Sequence, residues 1–355
     1  MKIERKIDEQ FLEQLVNTPG LSGYEQKVQR LFRKKIRPFV QNLETDVMGN
    51  VFATLNPSGS PKIMLAAHCD ETGMMVKYIS KEGFIYFHSI GLDAHLIPGS
   101  RVQILTKNGP ILGIVGKKAI HLQDSDERSN IIPIKDQYID IGARSRAESE
   151  NLGIKIGDPI LFDYYYSQLG ANGDVTGRCF DDRIGVLIIY EILKRLAQDP
   201  PKAQVVGVST TQEEVGLRGA TTAAYKVEPD ISLVYDVDFS MDSPDSDEKG
   251  HGIAKLGEGP IISIGPMDHK VVDLLIETAA DLKIPIQRIA EPRNSGTDGD
   301  VIQITKSGVA IGVIGIPCRN MHSYSEIVNL NDVEAIIKLS VEFIKRIEPN
   351  FKNLP

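Results

Sequence analysis

Imidazole and carboxylate groups recur in this chain at the ends of apolar runs. IMLAA ends in His68-Cys69-Asp70, and VVGVSTT ends in Gln212-Glu213-Glu214. ISLVY runs into Asp236 and Asp238, and VAIGVIGIP runs into Cys318-Arg319-Asn320-Met321-His322. The segment VTGRCF delivers Asp181-Asp182 at the start of a helical stretch. Two His plus several carboxylates, with no four-cysteine pattern, are a donor set for Zn²⁺, Co²⁺ or Mn²⁺ in a hydrolytic site. Alternation along a strand puts His68 and Asp70 on one face and turns Cys69 away. Carboxylates crowded at one sheet edge repel one another unless cations neutralise them. The set exceeds what one tetrahedral ion needs. Two ions roughly 3.5–4 Å apart, bridged by a carboxylate and a water, would use it all.

Each motif alone has a plainer explanation. A His after a strand is usually hydrogen-bonded within the structure. Asp-Asp before a helix commonly caps it and complements its dipole. Glu-Glu after a strand is commonly a solvated helix start, and Asp236 could close a turn. Convergence favours the metal, because all the plain explanations would have to hold together at matching ends of one sheet. Cys69, Cys179 and Cys318 lie beside the motifs but read as small buried groups, not ligands. His88, His95, His121, His251 and His269 lie at no such strand end.

The elements that must position these groups follow from periodicity. Apolar residues at helical spacing mark a helix over Ile7–Val16, ended by Thr18-Pro19-Gly20. Ser22 to Glu25 reads as a capping box opening a second helix through Phe39. Asp46–Leu55 alternates as a strand. Between about Val76 and Phe162, short apolar runs separated by Gly-, Asn- and Pro-containing turns predict a small all-β sandwich or barrel. Beyond Gly173, continuous apolar strands alternate with helices, which implies a mostly parallel sheet covered on both faces. The prediction is one α/β domain from 1–74 and 164–355, with a β-barrel inserted at 75–163. In open α/β sheets, ligands bind beyond the carboxyl ends of the strands, where the polar motifs stand.

Composition narrows the rest. The chain has 355 residues, 41% of them hydrophobic, enough for a full core without disulfides. Its formal net charge of -8 argues against a nucleic-acid partner. No window approaches the ~18 unbroken apolar residues of a membrane span. The charged start MKIERKIDEQ shows no secretory h-region, and three scattered cysteines fit a reducing cytoplasm.

Taken in order, HCDETG (68–73), GRCFDDRIG (177–185), TTQEEVGLRGA (210–220), YDVD (235–238), SGTDGD (295–300) and MHSYSE (321–326) resemble the glutamyl/deblocking aminopeptidases of the TET type. The resemblance implies a dinuclear metallo-aminopeptidase with two divalent ions, Zn²⁺ or Co²⁺, per chain. It implies that His68 and Asp236 hold one ion, Glu214 and His322 the other, and that Asp181 bridges them. Asp182 would be its neighbour across a cis peptide, Glu213 the general base, and Asp70 the carboxylate that orients His68. A PDZ-like barrel would dimerise the chain, and six dimers would close into a tetrahedral dodecamer acting on short peptides with a free N-terminus. Arg319-Asn320 and Gly299 depart from the usual pattern near the expected substrate pocket. Two rival readings are a glycoside hydrolase built on paired carboxylates and a non-catalytic peptide-binding assembly protein. The chain has no Trp for a sugar platform, and its full ligand set with Glu213 beside it speaks against a dead enzyme.

Overall fold

A computed structural model gives the architecture. The structure describes residues 6–125, 128, 130–244, 246–349 and 351, so the first five residues and part of the polar segment 241–252 lie outside it. The chain divides into two units, one of residues 1–70, 166–321 and 325–355, the other of 71–165 and 322–324.

The first unit is built on an eleven-stranded sheet. Its strands are β1 (Asn42–Thr45), β2 (Val51–Leu55), β3 (Lys62–His68), β10 (Tyr166–Leu169), β11 (Asp174–Gly177), β12 (Gln204–Thr210), β13 (Ile231–Phe239), β14 (Ile261–Ile264), β15 (Gln287–Ala290), β16 (Ala310–Arg319) and β17 (Glu326–Asn329). The main order is β1-β2-β12-β3-β13-β16-β17-β11-β10. β12, β3, β13 and β16 are parallel neighbours. Among the remaining pairs only β14 with β15 is parallel, and the others are antiparallel. The sheet is therefore mixed, and the expected parallel arrangement holds for its centre. For the consecutive pairs β1–β2, β10–β11 and β16–β17 the reason is local: their links are too short for the helical crossover that parallel pairing needs.

Burial explains the central block. β12 and β3 are buried at every position but the first, so both their faces are covered. Helix Phe180–Leu196 is buried along almost its whole length. Gly207 lets it approach, since a Cβ there would stand 2.6 Å from Ile189 and from Leu193. Each large aliphatic side chain so buried contributes about 1.5–3 kcal/mol.

Two local expectations changed. The second helix spans Gln26–Ile36 and passes into a short 3₁₀ turn, Arg37–Phe39. Ser22 and Glu25 do not form a capping box, because tertiary partners engage both side chains. The stretch 46–50 is a turn, in which Asp46 accepts from the Asn50 backbone N–H at 2.9 Å.

The second unit is a closed six-stranded barrel, β4-β5-β8-β7-β6-β9. Its strands are β4 (Gly73–Ile79), β5 (Ile85–Ile90), β6 (Arg101–Thr106), β7 (Gly109–Val115), β8 (Ile139–Asp140) and β9 (Pro159–Phe162), all paired antiparallel. Its core is a separate apolar cluster that includes Ile85, Phe87, Ile104 and Ile160.

Candidate metal centre

The parallel block carries the polar strand ends. His68 stands opposite Thr210 at the end of the β3–β12 pairing. β3 and β13 stay paired only as far as Ala66 and Val234, so the two strands part just before His68 and Asp236. Both side chains are buried at that opening, 2% and 7% exposed.

His68 is the hub. Its Nε2 lies 3.0 Å from Asp181 Oδ1 and 3.9 Å from both Glu213 Oε2 and Asp236 Oδ1. Its Nδ1 faces Asp70 Oδ1 at 3.5 Å. Two three-donor groups share the imidazole: His68 with Asp182 and Asp236, and His68 with Asp181 and Glu214. In each, the donor atoms lie within 4.8 Å of one another. His322 enters neither group among the described residues. It stands three residues past β16 with φ 58° and clusters with the second unit.

Asp181 and Asp182 are joined by a cis peptide and differ in their partners. Asp182 accepts from the His68 backbone N–H at 3.2 Å and from the Gly185 N–H at 3.1 Å, one per oxygen. Asp181 turns a carboxylate oxygen to the imidazole, while its own N–H donates to Glu326 at 3.1 Å. Asp70 is also pinned. It accepts from Ser22 Oγ at 2.7 Å and from the backbone N–H groups of Glu213 and Glu214 at 3.0 and 3.2 Å.

The electrostatics fit a cation site. Burial drives the Asp182 and Asp236 carboxyls well above the ordinary range, with neighbouring carboxylates adding to it. Burial likewise pushes Glu213 up to about 8, helped by the charges of Asp298, Glu214 and Asp181 and opposed by His68. Burial resists a charged His68, yet Glu213, Asp181 and Asp70 outweigh it and hold the imidazole well above its usual range. Without cations, this cluster thus retains protons that divalent ions would replace. Burial raises the thiols of Cys69, Cys179 and Cys318, which disfavours thiolate. All three are free and buried, and none is in a donor group among the described residues.

Several residues escaped the sequence reading. Glu326 fixes the Asp181 backbone, and Ser22 bonds Asp70. Asp298 accepts from Thr210 Oγ1 at 2.5 Å and is pushed by burial up to about 6. Glu25, pushed up to about 7 chiefly by burial, accepts from the Gly23 and Gln212 N–H groups. Only the run of Ser and Glu before a helix pointed to Ser22 and Glu25, and that pattern read as a cap.

Known proteins resemble this chain along nearly its whole length. The chain is 33% identical over 348 residues to the lysyl aminopeptidase of Pyrococcus furiosus, covering 97% of this chain and 98% of that one. It superposes on a TET aminopeptidase from the marine sediment archaeon Thaumarchaeota archaeon SCGC AB-539-E09 with TM-score 0.91, 33% identity and coverage of 96% and 97%. The Pyrococcus horikoshii TET1 peptidase, which can assemble into a tetrahedron or a large octahedral shell, matches with TM-score 0.85, 29% identity and coverage of 96% and 99%. The pattern of the M42 glutamyl aminopeptidases matches residues 49–339. The chain belongs to the M42 glutamyl aminopeptidase family.

Proposed function

We propose that this chain is an aminopeptidase that removes N-terminal residues from short peptides with the help of two divalent cations. One observation carries the proposal: two three-donor groups, buried apart from the half-buried Glu214, meet at His68, with the Glu213 carboxylate 3.9 Å from His68 Nε2. His68 and Asp236 would hold one ion and Glu214 and His322 the other, with Asp181 between. Both Asp182 oxygens are engaged by backbone N–H groups, which supports Asp181 as the bridge. Bound there, Zn²⁺ or Co²⁺ would acidify a shared water and polarise the scissile carbonyl.

The protein's own groups do the rest. Asp70 orients the His68 ring and, through two backbone N–H groups, fixes the base and its neighbour. Glu213 takes a proton as water attacks the carbonyl and returns it to the leaving amine. A base must be ionised, so the carboxyl that burial and the neighbouring carboxylates hold at about 8 needs cations beside it to work near neutrality. The acidic surroundings suit a free α-ammonium group on the substrate.

The barrel, residues 75–163, is read as a self-association module, supported by its separate core and by the TET assemblies the chain resembles. Twelve chains of 39.1 kDa would make a particle of roughly 470 kDa, which light scattering would register. A cytoplasmic setting is supported by three free, buried cysteines. Among the described residues, no helix is long and apolar enough to cross a membrane.

The test is turnover of aminoacyl-p-nitroanilides by metal-stripped and reconstituted protein. Activity should vanish on chelation and return with Co²⁺ or Zn²⁺. N-acetylated peptides and carboxymethylcellulose should stay intact. Full turnover by metal-free protein overturns the metal mechanism, and rapid cleavage of the polysaccharide overturns the substrate class.

A further inference from the structure

Three consecutive backbone N–H groups, those of Gln212, Glu213 and Glu214, point at two buried carboxyl groups. Glu25 Oε1 accepts from Gln212 N at 3.2 Å, Asp70 Oδ1 from Glu213 N at 3.0 Å, and Asp70 Oδ2 from Glu214 N at 3.2 Å. The same N-terminal loop also grips Asp70, through Ser22 Oγ, which donates to Oδ2 at 2.7 Å. Ser22, Glu25 and Asp70 are 6%, 3% and 0% exposed, so water competes little for these bonds. Gln212 is held in the left-handed region, φ 56°. That conformation is unfavourable for a non-glycine residue and persists where neighbours over-determine it. Here the neighbour is Glu25, whose Oε1 also accepts from Gly23 N at 2.6 Å and so closes its own loop.

We infer that Ser22 and Glu25 are positioning residues that hold the Glu213-Glu214 pair in place, Glu25 through the Gln212 amide and Ser22 through Asp70. This rests on the aminopeptidase reading above. Neither side chain touches the reacting atoms in this assignment. Their effect passes through three backbone N–H bonds and the Asp70 carboxylate. An oxygen at Glu25 is what the clamp needs, so glutamine at that position can keep both N–H contacts. Alanine leaves the Gln212 N–H without that acceptor, so the left-handed turn is held only from its carbonyl side, by the Arg218 N–H. At Ser22, alanine deletes one donor and leaves Asp70 freer to rotate away from the Glu213 and Glu214 amides.

The experiment uses the full chain loaded with Co²⁺ and three variants, Ser22→Ala, Glu25→Ala and Glu25→Gln. Three quantities are read: kcat and KM on an aminoacyl-p-nitroanilide, bound metal, and hydrogen exchange of the 212–214 amides. Both alanine variants should lose about tenfold in kcat, because small displacements of a catalytic group are costly. KM and bound metal should stay within about twofold. The 212–214 amides should exchange faster in both, and Glu25→Gln should recover most of the kcat and the protection. Ser22→Ala removes a single oxygen and keeps the question answerable if Glu25→Ala does not fold. Unchanged exchange in the alanine variants overturns the clamp. So does faster exchange with an unchanged kcat, or a loss of activity wholly explained by lost metal. Exchange does not depend on turnover. Faster exchange in variants of a wild-type protein that cleaves no nitroanilide would therefore uphold the clamp and overturn the aminopeptidase reading instead.

Discussion

The two units bury very different kinds of polar group. Among the described residues of the barrel, the buried polar side chains are neutral, Ser80, Gln123, Gln137 and Ser149, apart from Glu71 at its boundary. Their partners are main-chain groups: Gln123 Nε2 donates to Lys118 O, Gln137 Nε2 to Ala94 O and Ile132 O, and Ser149 Oγ to Gly83 O, while Ser80 Oγ accepts from the Phe84 N–H. In the sheet unit, Asp70, Asp181, Asp182, Asp236 and Asp298 are all buried, and they cluster where β3 and β13 part. Neutral polar groups bonded to the backbone tie loops to a core at little cost. Buried acids that crowd one another raise the energy of the folded chain unless a cation compensates. A fold tolerates that cost where chemistry needs it, so the barrel reads as scaffold and the strand ends as a working site.

That contrast breaks most visibly at Asp181, the proposed bridge. Asp181→Ala should remove one donor from the His68–Asp181–Glu214 group and reduce activity to the level of metal-free protein, with bound metal falling in elemental analysis. Asp182→Ala should act differently, because its carboxylate anchors the His68 and Gly185 backbone, and thermal stability should fall along with metal. If Asp182→Ala alone lost metal while Asp181→Ala kept both ions, the two roles are exchanged.

Next in size is Glu213→Gln. The amide keeps the shape but cannot take a proton, so kcat should fall at least ~10²-fold with both ions retained. Glu214→Gln should lose metal as well. In metal-free protein, Glu213→Gln should also raise the unfolding midpoint at alkaline pH, since it deletes a buried carboxyl whose ionisation is resisted up to about 8.

A core substitution in the barrel probes the other side of the contrast. Phe87 is fully buried in the barrel cluster. Phe87→Ala should cost about 3–5 kcal/mol of stability while bound metal stays at the wild-type level. Loss of metal from this variant would show that the barrel does more than scaffold the chain.

Much of the fold was legible in the sequence. The four polar strand ends were visible because each follows an unbroken apolar run, and those runs became the parallel centre of the sheet. The barrel was visible because its strands are short and closely spaced by turns. Strands β1, β10, β11 and β17 were not, because four-residue strands at a sheet margin carry no period long enough to register. The links from Ser22 and Glu25 to residues 70 and 212 were hidden for a different reason. They join positions far apart in the chain, and their local pattern imitates a helix cap. Glu326 and Asp298 were hidden in the same way, since a buried carboxylate looks like a surface one until its partners are known.

The smallest expected effect sharpens the contrast within the site's own supports. Glu25 is 3% exposed, and burial, with Asp70 nearby, pushes its carboxyl up to about 7 from an ordinary 4.5. Below 4.5, Glu25 is protonated in both the folded and the unfolded chain, and its full contribution to stability is present. Between 4.5 and 7, the unfolded chain gives up the proton while the folded chain keeps it, so stability falls as pH rises. Above 7, both forms are ionised and the deficit is constant, on the order of 3 kcal/mol. Glu25→Gln cannot ionise and escapes that slope. In metal-free protein, the variant and the wild type should therefore have similar denaturation free energies near pH 4.5 and diverge steadily to pH 8, with the variant the more stable. Other titrating groups, Glu213 among them, are common to both proteins and largely cancel in the difference. Parallel curves across that range would mean that Glu25 is already ionised in its buried position. The Gly23 and Gln212 N–H bonds, which favour the charged form, would then outweigh the cost of burial.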